Sequence, residues 1–166
     1  MDVIQRLGIT GKMLRWLNNF LGKRAIQVTV DGVLSGEVIL DNGCPQGSVL
    51  SPILFVLFMN TFQNCIKQYN QQLVSPHNGV SLSQCVDDGA LWLLCKNLEI
   101  LLKRGQGVLD AVSDWANKWG FTVNPAKTQI ILIQPNKIDC VKAKKLKEIE
   151  LKYKGESLPF LKKPGY

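Results

Sequence analysis

The sequence predicts a mixed α/β fold, α+β-like in character, with an antiparallel sheet and helices packed on one face. Three observations carry that expectation. Short β-rich runs flank the turn signals Asp31-Gly32 and Asp87-Asp88-Gly89. Two longer stretches, about 52 to 70 and 98 to 119, lack the turn clusters that break a chain into strands and read as helices. A chain that is 46% hydrophobic with four Trp buries enough apolar surface to offset the entropy of ordering, which a disordered segment does not.

Taken in order, Thr10 is a candidate N-cap, and Met13, Leu14, Leu17, Phe20 and Leu21 recur at helical spacing, so a first helix runs from about 11 to 21 and stops at Gly22. Ala25 to Val30 is β-rich, Asp31-Gly32 turns, and Val38 to Leu40 returns, which predicts a hairpin. Ser51-Pro52 reads as an N-cap with Pro at the first helical position, and the run from Ile53 predicts a helix that starts buried and emerges near Lys67. Val80 to Val86 and Ala90 to Cys95 are strand-like on either side of Asp87-Asp88-Gly89, whose Asp-Gly step predicts the turn itself. The segment from Leu98 to Trp119 is helical in its spacing, with Gly105 and Gly107 weakening its middle and Gly120 ending it. A turn at Asn124-Pro125 and a buried strand from Ile130 to Ile133 follow, and no period is visible from Leu146 to Lys152.

Length and composition exclude several classes. With 166 residues and no linker-like stretch, one domain or a piece of one is expected. The longest apolar run, Ile53 to Met59, is far short of the roughly 20 residues of a membrane span. Five widely spaced cysteines without a CxxC pair, and a single His77, give neither a zinc cage nor a disulfide framework, so reduced thiols and an intracellular setting are expected. The net charge is +7, and nine Lys against four acids lie between Lys137 and Lys163. Such a basic end either binds polyanions by counterion release or simply faces water.

Three segments carry chemistry. Adjacent carboxylates at Asp87-Asp88 repel unless a cation is near, and hard divalent ions such as Mg2+ favour carboxylate oxygens; a solvated turn is the alternative. The stretch Gly43 to Pro52 is a glycine-bearing loop entering a helix, suited to close approach of phosphate or base, or to a plain helix entry. Asn124-Pro125-Ala126-Lys127 presents one Lys as a point charge toward a phosphate or toward solvent.

In this order the three segments resemble the reverse transcriptases of non-LTR, LINE-type retrotransposons. Each is moderately specific and the ordered set strongly so; Leu7-Gly8-Ile9 and Arg15-Trp16-Leu17 add flanking matches. The resemblance implies that Pro45, Gln46, Gly47 and Ser48 line the nucleotide and template site, that Asp87 and Asp88 are catalytic ligands of Mg2+, and that Lys127 assists the pyrophosphate leaving group. It implies an RNA template, a DNA primer and deoxynucleotides as partners. Cys85 and Val86 fall beside the primer end, and Cys85 stands where the family has Tyr, which removes packing and a hydroxyl. Residues 1–166 then read as a single partial palm domain, truncated at both ends. The family's third catalytic Asp is expected ahead of the chain, since Asp2 is too close to Leu7-Gly8-Ile9 to be it, and the Tyr-Leu-Gly primer grip after it. On that basis the chain alone is expected not to polymerise DNA, and the alternative is a decayed or domesticated remnant that folds and binds nucleic acid through its basic tail.

Overall fold

The structure is a computed structural model and describes residues 2–22, 24–40, 42–73, 79–133 and 150–161. His77, Cys140 and most of the basic stretch from Lys137 to Lys163 lie outside the described residues. Backbone packing divides the chain into two compact units, Met1–Thr61 and Phe62–Tyr166.

The first unit opens on a short helix α1 (Asp2–Arg6) that no spacing in the sequence announces, followed by α2 (Gly11–Leu21) where the periodicity places it. The ends of α2 are made differently from the sequence expectation. Thr10 is extended but its side chain makes no capping bond, and Gly22 has φ −90°, outside the left-handed region, with its N–H donating to the Asn18 carbonyl at 2.9 Å. Leu17 of α2 is buried with Ile4 and Leu54, and Leu14, Phe20, Leu21, Cys44 and Leu50 pack around them.

The predicted hairpin forms as two consecutive pairings. Strand β1 (Arg24–Ile26) runs antiparallel to β4 (Val38–Leu40), with Ala25 opposite Ile39, and β2 (Thr29–Val30) pairs with β3 (Val33–Leu34). Asp31 (φ 50°) and Gly32 (φ 80°) form the tight turn between the inner pair, which requires positive φ at both positions. Ser35 bridges the gap between the pairings, its N–H donating to the Val28 carbonyl and its hydroxyl accepting the Val28 N–H.

Helix α3 (Leu50–Gln71) starts two residues before Pro52. Ser51 is therefore inside the first turn and not the N-cap; its hydroxyl donates back to the Pro45 carbonyl at 2.6 Å. Pro52 is tolerated because the first four N–H groups of a helix have no intrahelical acceptor. The expectation that the helix starts buried is also corrected. Leu54, Met59, Phe62 and Ile66 are buried, but Ile53 is 55% and Val56 63% exposed, since only the stripe facing a partner loses contact with water.

In the second unit, β5 (Val80–Cys85) and β6 (Asp88–Leu93) form an antiparallel ribbon, and α4 (Leu98–Trp119) packs beside it. The start of α4 is fixed by Asn97, whose side-chain oxygen accepts from the N–H groups of Glu99 and Ile100. Its end is fixed by Gly120 at φ 65°. Phe62, Trp115 and Phe121 form a tilted series with centroids 4.8 and 5.3 Å apart, and Val108, Val112 and Ala116 of α4 are buried as Trp115 is.

Helix α4 runs on through Gly105 and Gly107, which let neighbours approach it. A Cβ at Gly105 would lie 3.2 Å from Leu151 Cδ1, and one at Gly107 would lie 2.6 Å from the Tyr69 hydroxyl, which donates to the Arg104 carbonyl at 3.0 Å. Two amide side chains dock strands onto helices. The Asn70 amide bonds both the N–H and the carbonyl of Val80 at 2.7 Å each, and the Gln106 amide does the same for Lys152 at 2.9 Å each.

After a 3₁₀ turn (Pro125–Lys127), strand β7 (Ile130–Ile131) pairs with β10 (Phe160–Leu161) in parallel, and β8 (Lys152–Tyr153) forms a hairpin with β9 (Glu156–Ser157). Strand β7 is shorter than the buried strand expected from Ile130 to Ile133, and Ile131 and Ile133 are exposed. That last hairpin falls partly where no period was visible in the sequence; its turn signal is Lys154-Gly155, both at positive φ. The architecture is the mixed α/β fold expected, although among the described residues the strands pair two at a time.

Gly107→Ala is expected to lower stability by about 1 kcal/mol net, because overpacking against Tyr69 outweighs the gain in helix propensity. Chemical denaturation checks it, and adding Tyr69→Phe, which removes the clashing hydroxyl, restores part of the loss. Burial pushes the Tyr69 hydroxyl above its ordinary value near 10, with Arg104 opposing and Asp110 adding, and burial does the same to Tyr153. The folded chain thus holds these protons to higher pH than the unfolded chain, so stability is full below about pH 10 and falls as pH rises through the folded-state values. Denaturation midpoints from neutral to alkaline pH should fall in this window, and less steeply in Tyr69→Phe.

Candidate functional site

The Asp87-Asp88 pair sits at the tip of the β5–β6 ribbon, but the turn is not the one the sequence predicts. Cys85 pairs directly with Asp88 and Gln84 with Gly89, so the two turn residues are Val86 and Asp87, and Gly89 is within the strand. The positive φ that Asp-Gly was expected to supply falls on Val86 at 53°. A β-branched residue is unfavourable there, because its Cβ crowds the neighbouring carbonyl. Gly89 pairs with Gln84 instead, and a Cβ there would make ordinary contact with Phe62 and Leu82 at 4.0 Å.

Residues alternate across the ribbon, so Cys85, Asp88, Ala90 and Trp92 share its open face while Leu82, Leu91 and Leu93 face the protein. Asp87 and Asp88 are exposed, and among the described residues neither side chain has a hydrogen-bond or ion-pair partner. Among those residues, no group of three or more His, Cys, Asp or Glu converges that could hold a metal ion. The donor set at the tip is thus two adjacent carboxylates whose oxygens are uncommitted, chemistry that fits a hard divalent ion sharing its remaining positions with phosphate oxygens or water.

The loop from Gly43 to Val49 belongs to the first unit and is held at both ends. Arg24 Nη2 donates to the carbonyls of Asn42 (2.9 Å) and Gly43 (2.6 Å), Cys44 packs into the core around Leu17, and the Ser51 hydroxyl holds the Pro45 carbonyl. Ser48 accepts the Leu50 N–H at 3.3 Å and leads into α3. Between these anchors Gln46 and Gly47 are exposed, Pro45 and Ser48 half-buried, and Gly47 is left-handed at φ 84° with open space where a Cβ would be. Arg24 was missed from sequence; a basic residue at a strand start gives no signal of a partner 18 residues later.

Lys127 ends the 3₁₀ turn and is exposed. The Asn124 side chain accepts the Ala126 N–H, and the Thr128 hydroxyl donates to the Asn124 carbonyl, which fix the turn before β7. Among the described residues no hydrogen bond or ion pair joins Lys127 to Asp87 or Asp88. The hairpin and Lys127 belong to the second unit. No helix among the described residues is long and apolar enough to cross a membrane.

The reverse transcriptase (RNA-dependent DNA polymerase) family model matches residues 1–158, and the chain belongs to that family. Its relatives place it among the reverse transcriptase domains of non-LTR retrotransposons. A 115 kDa protein of the type-1 retrotransposable element R1DM of Drosophila melanogaster is 24% identical over 91% of this chain. The RNA-directed DNA polymerase from mobile element jockey of Drosophila funebris is 28% identical over 72% of it, and that from transposon BS of Drosophila melanogaster is 33% identical over 68%. The chain spans only 13%, 13% and 12% of these relatives, respectively. No solved structure matches it significantly.

Because a left-handed L-residue costs about 1–2 kcal/mol, Val86→Gly is expected to stabilise the second unit by about 1 kcal/mol after the entropic cost of glycine. Thermal denaturation reads this directly, and a lowered midpoint would show that Val86 contributes more by packing than it loses by strain.

Proposed function

We propose that this chain is part of a reverse transcriptase palm acting in RNA-templated DNA synthesis during retrotransposition, with Asp87 and Asp88 holding Mg2+ at the primer end. The observation that carries it is the uncommitted carboxylate pair on the tip of a supported ribbon, within a chain of this family. A divalent ion held there lowers the pKa of a primer 3′-hydroxyl and offsets charge on the nucleotide phosphates. The chain's own residues do the rest. Gln46 and Gly47 offer an exposed tip for the nucleotide and template base, with Pro45 and Ser48 setting its course. Lys127 meets the leaving pyrophosphate as a point charge. Cys85, opposite Asp88 on the open face, leaves room there that an aromatic ring would fill.

Two carboxylates alone hold a divalent ion weakly, because the coordination sphere is completed by water or phosphate. Added Mn2+ is expected to broaden the amide signals of Val86 to Gly89 selectively, and the Asp87→Asn, Asp88→Asn double variant to lose that broadening. Broadening that persists in the double variant, or that centres elsewhere, counts against the assignment. In primer extension on an RNA template the 166-residue chain by itself is expected to incorporate no nucleotide. Asp87-dependent incorporation would show that its donor set is sufficient.

A further inference from the structure

We propose that Arg24 is a positioning residue for the nucleotide loop: it sets the entry of the Pro45–Ser48 segment by clamping two successive backbone carbonyls, without touching a substrate itself. The proposal rests on the assignment of that loop to nucleotide and template.

The geometry is specific. Arg24 opens β1 opposite Leu40, the last residue of β4, so its side chain departs from the hairpin where the chain leaves it for the loop. One nitrogen, Nη2, reaches the carbonyls of both Asn42 and Gly43, and the residue is half-buried with Nε sealed from solvent. Both bonds lie at the exposed side of the loop, and a charged donor makes them stronger than neutral ones. Gly43 itself is left-handed at φ 84°, a conformation that glycine adopts freely and leaves as freely, so an external clamp is needed to hold it.

The clamp works with two others. Cys44 is packed into the core of the first unit, and the Ser51 hydroxyl fixes the Pro45 carbonyl from the first turn of α3. Three anchors on one side of Gln46 and Gly47 and the helix on the other leave only that tip free. A loop ordered before its ligand arrives does not lose that conformational entropy on binding, so its affinity rises without a new contact. Lys keeps the charge, but its side chain is one bond shorter than the path to Nη2, so its ammonium meets the two carbonyls less well.

Nuclear magnetic resonance on the full 166-residue chain tests this in two arms. In the absence of nucleotide, 15N relaxation at Gly43, Cys44, Gln46 and Gly47 is compared among the wild type, Arg24→Ala and Arg24→Lys. The expected result is a loop that loosens in Arg24→Ala and partly in Arg24→Lys, while signals from Leu14, Leu17 and Leu54 keep their positions. Unchanged loop relaxation in a folded Arg24→Ala overturns the proposal; if that variant fails to fold, unchanged relaxation in Arg24→Lys does so. In the second arm, dGTP with Mg2+ is titrated against the Gln46, Gly47 and Ser48 signals, and its affinity is expected to fall about tenfold in Arg24→Ala, the worth of one charge-assisted bond. Equal affinity in wild type and variant overturns the proposal. A wild type whose loop signals ignore the nucleotide defeats the nucleotide assignment instead, and the first arm still decides whether Arg24 holds the loop.

Discussion

A two-stranded ribbon has little stability of its own in water, and the position of the Asp87-Asp88 pair depends on how that weakness is met. The β5–β6 ribbon is fixed at its base by the Asn70 amide, which satisfies both backbone groups of Val80, and is approached near its tip by Phe62, whose ring is 4.0 Å from where a Cβ on Gly89 would stand. Both side chains come from α3, so one helix meets both ends of the ribbon. The inward residues Val80, Leu82, Leu91 and Leu93 are shielded, and the outward face carrying Cys85 and Asp88 is left to solvent. The carboxylates thus stand at the exposed end of a rigidly backed element, which is where repulsion between them is most cheaply screened.

The same economy of backbone satisfaction recurs wherever a strand meets a helix. Gln106 serves Lys152 as Asn70 serves Val80, and the small surfaces at Gly105 and Gly107 allow Leu151 and Tyr69 to close on α4. Each device removes an unsatisfied backbone group or a gap in packing, both of which would cost more than the glycine's loss of helix propensity. In the first unit the equivalent task falls to Arg24 and Ser51, which hold carbonyls of a loop that has no strand partner of its own.

Among the described residues at positive φ, Val86 is the β-branched one, and there local preference and observed conformation conflict. The Asp88-Gly89 step offers an easy positive φ, yet the strain is carried two residues before Asp88 by a β-branched residue. The cross-strand register sets the choice: pairing Cys85 with Asp88 and Gln84 with Gly89 leaves Val86 and Asp87 as the two turn residues, and keeps Leu82 opposite Leu91 and Val80 opposite Leu93. Register thereby overrides turn chemistry, and strain is stored beside the carboxylates.

Much of this was legible in the residues. Apolar spacing placed α2 and α4 to the residue, Asp31-Gly32 located the first hairpin, and the ordered segments around Gln46, Asp87 and Lys127 marked the family that the comparisons establish. These are local signals, set by periodicity and turn propensity within a few positions. What the sequence by itself left undecided was long-range. The burial of only one stripe of α3, the parallel pairing of β7 with β10, the register that shifts the turn to Val86, and the reach of Arg24 to Gly43 each depend on partners 18 or more residues distant or on a neighbouring helix. No propensity encodes such partners, because each contact exists only once the chain has packed, and there tertiary contacts outweigh local preference.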